Sequence, residues 1–440
     1  MFAVGSAKKR KTAADRISNL PQNVTQQILE CLPLQEAART SILSSHWKHK
    51  WSAISQLVLD EKFFTSILKK NKETTDMPLV YSKVVNNILF SHVGPIWKFV
   101  LFLPSWLPNE ADISQWIRFA HANGVKEFTL ENARGLKKYI PTSLFSCKDL
   151  THLTLIRCKI LRLPATFQGF PCLISLRWKM LSKEVSVLET LISKCPQLQS
   201  LCLIVYDWES TLSICAPKLK ELFVEGSLSN LSMEETTSIN KLALDLCCSK
   251  FQKSRHMSDF FSTLLKVEKL ILKESFWMHL EYAFISPPTL PKELEKLQSL
   301  KLVGVPLHRR FSVVFLLCLL LSSPRLVQLY IEVSELETAC DEQLIQNDDT
   351  CILPCLQKVQ LFGISGLPAE LQLIKFLLAC SPALEKMSIE LSTGMGGAQE
   401  KFNFATETLR YRRASPNAEI IVKTKKLFSD SYNFTPLWLE

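Results

Sequence analysis

The chain has 440 residues, 47% of them hydrophobic and 21% charged, which excludes a globally disordered polymer and exceeds what one compact core accommodates. Lys and Arg number 52 against 42 acids, a modest net charge of +10, partly concentrated at the ends and forming no evident basic stripe. A nucleic-acid binder stays open as a further class on that charge alone. Glycine is scarce at 12, leaving few residues for phosphate-cradling loops.

Residues 1–14 are polar and basic, with Lys8, Lys9, Arg10 and Lys11 in one run, and read as a disordered basic tail. The run has the composition of a nuclear address. No apolar core of a secretory leader is present, so the 14 cysteines are expected as free thiols in a reducing compartment, nucleus or cytoplasm.

Residues 15–52 change texture. Pro21 is a good first helical residue, and Leu20, Val24, Ile28 and Leu32 recur at intervals of four, predicting one apolar stripe. After Pro33 a second segment offers Leu34, Ala37, Ala38 and Ile42, and Leu43, Trp47 and Trp51 continue the four-residue spacing. Helices this short cannot make a self-sufficient core; they need the rest of the chain, a partner, or both.

From residue 53 the chain repeats. The pattern apolar-x-x-apolar-x-apolar appears first at Ile54/Leu57/Leu59 and Ile96/Phe99/Leu101. It then recurs from Val125/Phe128/Leu130 through Leu150/Leu153/Leu155, Leu173/Leu176/Trp178 and onward to Leu384/Met387/Ile389. From Val125 the steps run from 20 to 30 residues, the range of leucine-rich repeats and just above it. Each motif tail predicts a short strand with its apolar residues facing inward, and one such unit buries that face only by stacking on its neighbours. The returns look helical. Leu188/Leu191/Ile192, Leu316/Leu319/Leu320 and Ile374/Leu377/Leu378 each precede a proline that stops a helix before the next strand. The longest apolar run, Val313–Leu321, belongs to one of them and is about half of the roughly 18–20 residues a bilayer span needs, so no membrane partner is expected.

Residues Asp15–Pro21, Ile28-Leu29, Leu32-Pro33 and Ala38–Ser44, followed by Trp47 and Trp51, resemble a plant F-box, and Leu57–Phe63 resembles the usual junction into repeats. Leu353–Leu356, Leu377-Leu378, Leu384–Met387 and Arg412–Pro416 resemble the FBD module. The chain after residue 14 is thus similar to the plant F-box/FBD/LRR-repeat proteins. That resemblance implies an α/β leucine-rich-repeat solenoid with a small N-terminal all-α F-box module. It divides the chain into F-box 15–52, repeats 53–350, an FBD segment continuing them at 351–425, and a C-terminal tail at 426–440. It further implies a non-catalytic, substrate-recruiting subunit of an SCF-type cullin-RING ubiquitin ligase. By position, Leu20, Pro21, Ile28, Leu32, Pro33, Leu43 and Trp47 match the residues that bind a Skp-type linker or form the module's core. His46, Lys50, Gln22 and Thr25 depart from the usual pattern, and Lys50 removes apolar area near the module's end.

If the repeats hold a target protein, its contacts fall on outward positions two, four and six residues after each motif start. Arg177, Lys179, Glu221, Phe223, Glu225, Lys269, Lys273 and Tyr330 are the candidates, with Gln328 and Glu332 beside them. Their mixed signs disfavour a nucleic acid. A ligase-independent repeat scaffold is the alternative function. No cysteine or histidine spacing suggests zinc, Cys158 fills a repeat position, and no nucleophile or Walker motif is present, so no metal, cofactor or catalytic residue is expected. Thr393–Gly397 reads as a loop after the last strong repeat, and Lys69–Asp76 and Asp341–Asp349 as polar surface loops.

Overall fold

The computed structural model describes residues 20–70, 76–106, 110–133, 138–179, 185–233, 236–248, 264–283, 293–334 and 352–424. The basic run at 8–11, the acidic segment at 341–349 and the C-terminal tail lie outside them. Two compact units divide the chain: Met1–Lys137 with Pro141–Leu150, and Lys138–Ile140 with Thr151–Glu440.

The first unit opens with α1 (Gln22–Glu30), led by Pro21, and α2 (Leu34–Arg39), led by Pro33. Two short 3-10 turns follow, Thr40–Ile42 and Lys50–Ala53. The four-residue spacing of Leu43, Trp47 and Trp51 therefore does not become an α-helix. His49 adopts a left-handed φ of 67°, which a continuous helix does not admit. Strand β1 (Gln56–Leu59) leads to α3 (Glu61–Lys70) and α4 (Met77–Ser91), then β2 (Lys98–Leu103), α5 (Glu110–Ala122) and β3 (Glu127–Asn132). Asp60 and Asp76 cap α3 and α4, accepting the N–H groups of Phe63 (2.8 Å) and Leu79 (3.2 Å). The three strands run parallel, with Leu57, Phe99 and Phe128 in one register and Leu59, Leu101 and Leu130 in the next. Phe64, Tyr81, Phe102 and Trp106 cluster between strand and helices, and the buried Tyr81 hydroxyl donates to the Phe102 carbonyl at 2.7 Å.

The second unit contains a two-strand pair, β4 (Lys138–Tyr139) with β6 (Cys158–Lys159), and a long parallel sheet. The sheet comprises β5 (His152–Ile156), β7 (Ser175–Lys179), β8 (Ser200–Ser213), β9 (Glu221–Ser232), β10 (Lys241–Cys248) and β11 (Lys269–Leu272). It continues through β12 (Ser299–Val305), β13 (Gln328–Val333), β14 (Lys358–Ile364), β15 (Lys386–Leu391) and β16 (Glu419–Thr424), neighbours following chain order throughout. Every apolar residue of the repeat motifs is buried. At about 1.5–3 kcal/mol for each large side chain removed from water, these columns dominate the stability of the fold. Trp178 is the largest member of its column, and its Nε1 donates to the Cys158 carbonyl at 3.2 Å.

The three predicted return helices are α6 (Val185–Ser193), α8 (Arg310–Leu321) and α9 (Pro368–Cys380); α7 (Glu274–Ala283) and α10 (Ala398–Arg410) add to them. The short repeats beginning at Leu198 and Leu219 differ: β8 and β9 simply extend, to 14 and 12 residues, where a helix was expected. A return of so few residues has room for extended chain but not for a helix and two turns. In that stretch Gly226 has φ of 120°, and a Cβ there would lie 2.0 Å from the Val205 carbonyl oxygen.

The Arg412–Pro416 segment closes the last repeat. Arg413 donates to the Ala418 and Leu409 carbonyls at 3.2 and 3.4 Å, and the Ser415 hydroxyl to the Leu384 carbonyl at 2.7 Å. Thr393–Gly397 is the turn between β15 and α10, and no helix among the described residues is long and apolar enough to cross a membrane.

Candidate functional site

Two surfaces carry the residues singled out in the sequence, one in each unit. On the first, the predicted stripe Leu20–Val24–Ile28–Leu32 is not the buried face of α1. Thr25 and Leu29, one position round the helix, face the core, and the Thr25 hydroxyl donates to the Pro21 carbonyl at 3.1 Å. Ile28 and Leu32 are left 39% and 37% exposed, and Pro21 and Pro33 are exposed at the starts of α1 and α2. Leu20 is half-buried. Leu43 is 66% exposed and its neighbour Ile42, absent from the candidate set, 87%. The signal for Ile42 was its adjacency to Leu43 in a segment that leaves the helix. Trp47 is buried at 3% and works as core.

Glu30 anchors this module to the first repeat. Its Oε1 accepts from the Ser55 N–H (3.2 Å), the Ser55 hydroxyl (2.7 Å) and the Gln26 amide (3.1 Å). Burial opposes its charge, but those hydrogen bonds outweigh it and hold the carboxyl below its usual range. Two of the four departures meet each other: the Lys50 ammonium donates to His46 Nε2 at 2.8 Å.

The second surface is the outward face of the long sheet. Strand register aligns Arg177, Cys202, Phe223, Ala243 and Ile271 in one column across β7–β11. Of the candidates there, Lys269 is exposed, Arg177, Lys179, Glu221, Glu225, Lys273 and Tyr330 are half-buried, and Phe223 is buried with the Lys273 ammonium 5.1 Å from its ring centroid. Cys202, Phe223, Ala243 and Ile271 form an apolar cluster separate from the main core. Ion pairs flank it, Lys241 to Glu221 at 2.6 Å and Lys273 to Asp245 at 3.9 Å. Burial and the neighbouring Asp245 raise the Glu225 carboxyl, with Lys273 and Lys179 opposing. Burial pushes the Cys202 thiol up to about 11, so it stays protonated and unreactive. Sequence alternation alone did not reveal this cluster; aligning outward residues of consecutive repeats would have.

Further along the same face, Tyr330 stacks on Phe362 with centroids 4.6 Å apart, and Lys301 lies 4.2 Å from the Tyr330 centroid. Among the described residues no group of three or more His, Cys, Asp or Glu is placed to hold a metal, and Cys147, Cys158, Cys195, Cys202 and Cys380 are buried free thiols.

Comparison with known proteins matches three family models along the chain. The F-box domain model matches residues 17–55, the model of the LRR repeats of FBD-associated F-box protein At5g56370 matches 113–259, and the FBD model matches 350–389. The molecule is thus of the F-box class, with leucine-rich repeats and an FBD module in that chain order. F-box/FBD/LRR-repeat protein At1g13570 of Arabidopsis thaliana is 32% identical over 418 residues, spanning 92% of this chain and 98% of that protein. The chain belongs to the plant F-box/FBD/LRR-repeat family. F-box/LRR-repeat protein At3g26922 of the same plant is 29% identical over 221 residues, 48% of this chain and 67% of that protein. The structure of Leptospira interrogans LRR protein LIC12759, at 16% identity and a TM-score of 0.30 over 74% of this chain and 89% of that one, is too remote to bear on the fold.

Proposed function

We propose that this protein is the target-recruiting subunit of an SCF-type cullin-RING ubiquitin ligase, its F-box docking a Skp-type linker and its repeat face holding a target protein. It does no chemistry itself. It works in the nucleus or cytoplasm, where its thiols stay reduced, and it raises the effective concentration of the target at the site of ubiquitin transfer.

The observation that carries the reading is the exposure of Ile28, Leu32, Ile42 and Leu43 on one small helical module whose family relatives share the F-box. Large aliphatic side chains left in water on a module this small mark a surface that another chain covers. The anchoring of Glu30 to Ser55 supports it by tying that module firmly to the first strand.

Binding of the purified chain to a plant Skp-type linker tests the proposal, beside an Ile28→Asp/Leu43→Asp variant. Tight binding by the parent, weakened at least about 100-fold in the variant by two buried charges, is the expected result. No binding by either protein would overturn it and leave a repeat scaffold whose helical module is only a cap.

A further inference from the structure

We propose that the linker-docking surface runs past the F-box onto the chain leading into β2, where Phe90, Val93 and Trp97 make a second contact with the same linker. The inference rests on the reading of Ile42 and Leu43 as linker-binding. It extends that surface beyond residues 17–55, where the F-box match ends.

Residues 88–97 contain no Asp, Glu, Lys or Arg. The fold sorts their apolar side chains into two sets. Leu89 and Ile96 are buried and belong to the core of the first unit, whereas Phe90, Val93 and Trp97 stand 73%, 65% and 46% exposed. Three large apolar side chains within eight residues, all open to water, are more than the unit's own packing uses. Trp97 stands out by position as well. Register sets it directly before β2, as Ser55 stands before β1 and Lys126 before β3. The two neighbours keep that place polar. The strand between them puts an indole there, the side chain most enriched among those that anchor interfaces.

This patch is continuous with the F-box through the chain and through hydrogen bonds, and both lie in the first compact unit. From Leu43 the chain passes the exposed His46, Lys48 and His49 into the 3-10 turn Lys50–Ala53, which packs on the turn Thr40–Ile42. In that turn the Ser52 carbonyl accepts the Val93 N–H at 2.8 Å, and just beyond it the Ser55 carbonyl accepts the Trp97 N–H at 2.8 Å. One turn therefore touches the segment carrying Ile42 on one hand and the segment carrying Val93 on the other. Charge along the path states the partner's chemistry. Neither 40–50 nor 88–97 holds an acid, while Lys48 and Lys50 are cationic. The acids of the helical module are engaged elsewhere, Glu30 with Ser55 and Glu36 with Arg39. The surface fits an apolar segment of the linker that brings carboxylates to the Lys48–Lys50 stretch.

The test is isothermal titration of a plant Skp-type linker into the full chain and three variants: Val93→Ser/Trp97→Ser, Leu43→Asp, and a control, Phe402→Ser/Leu409→Ser, which removes exposed apolar groups from α10 in the second unit. Val93→Ser/Trp97→Ser should bind about 10-fold more weakly than wild type, one decade for each 1.4 kcal/mol lost. The control should bind like wild type. Hydrogen exchange on the wild-type complex reads the same contact without any substitution: amides in 88–97 should slow on linker binding together with those in 28–43. Weakened binding by Leu43→Asp, with wild-type binding by Val93→Ser/Trp97→Ser and unchanged exchange in 88–97, would overturn this inference and leave the F-box reading standing. A loss in the control equal to that of Val93→Ser/Trp97→Ser would also overturn it. No binding by wild type would overturn both readings.

Discussion

The F-box helices and the repeat strands treat their apolar side chains in opposite ways. In the repeats every leucine of the motif is buried, each strand's row covered by the rows of its neighbours. In the F-box the four-residue stripe read from the sequence turns outward: Thr25, Leu29, Leu34, Ala37 and Trp47 make a thin core while Ile28, Leu32, Ile42 and Leu43 face water. The lesson is that a repeat's apolar pattern reports its own packing, whereas a small module's pattern mixes its core with side chains it leaves in water.

The contrast can be broken first by truncation on both sides of it. Trp178→Ala, which empties a fully buried site and removes its hydrogen bond to the Cys158 carbonyl, should lower stability by about 3–5 kcal/mol in urea unfolding. Leu43→Ala should change stability by less than about 0.5 kcal/mol while weakening linker capture. Equal stability losses in the two would erase the distinction. Gly226→Ala should cost about 2–3 kcal/mol, because its left-handed backbone and the Val205 carbonyl leave no room for a methyl group. Thermal unfolding measures it, and a variant as stable as the parent would refute the close approach.

The smallest effect concerns pH and the outward cluster. Folding raises the Glu225 carboxyl by burial and by the nearby Asp245. An acid with a raised folded pKa binds its proton more tightly folded than unfolded. Its charge therefore opposes folding above that pKa, and the penalty is relieved as pH falls through it toward the ordinary carboxylate range. Glu225→Gln should stabilise the protein slightly at neutral pH and flatten the pH dependence of unfolding in that window. A variant less stable than the parent at pH 7 would contradict the assignment.

Much of the repeat fold was legible because one strong rule, apolar-x-x-apolar-x-apolar, governs it. All thirteen motifs became strands, paired in register within each unit, as Leu57 with Phe99 in the first and Met387 with Val359 in the second. The fourteenth, β16, escaped because Asn417 stands where the motif's first leucine would, although Ile420 and Val422 pair as the others do. Helix α10 escaped because only Phe404 and Thr408 of its residues are buried, too few for a periodic signal. In the F-box the spacing left open which side of α1 meets the core, because it says which side chains share a face and not where that face points. Thr25 and Leu29 turn inward. On the sheet, alternation assigned Phe223 to solvent. Its burial comes from Cys202, Ala243 and Ile271 in adjacent repeats, a two-dimensional pattern that no single repeat displays.

Strand order that follows chain order has a consequence for how the protein is made. Within each unit every strand of the long sheet pairs with the sheet strand synthesised before it, so a growing chain finds its template finished. Loop closure spans only one repeat at each step, which keeps its entropic cost nearly constant along the sheet. On the ribosome the F-box and its first strands emerge ahead of the rest. The sheet is then laid down row by row, until Arg413 and Ser415 fasten the last one.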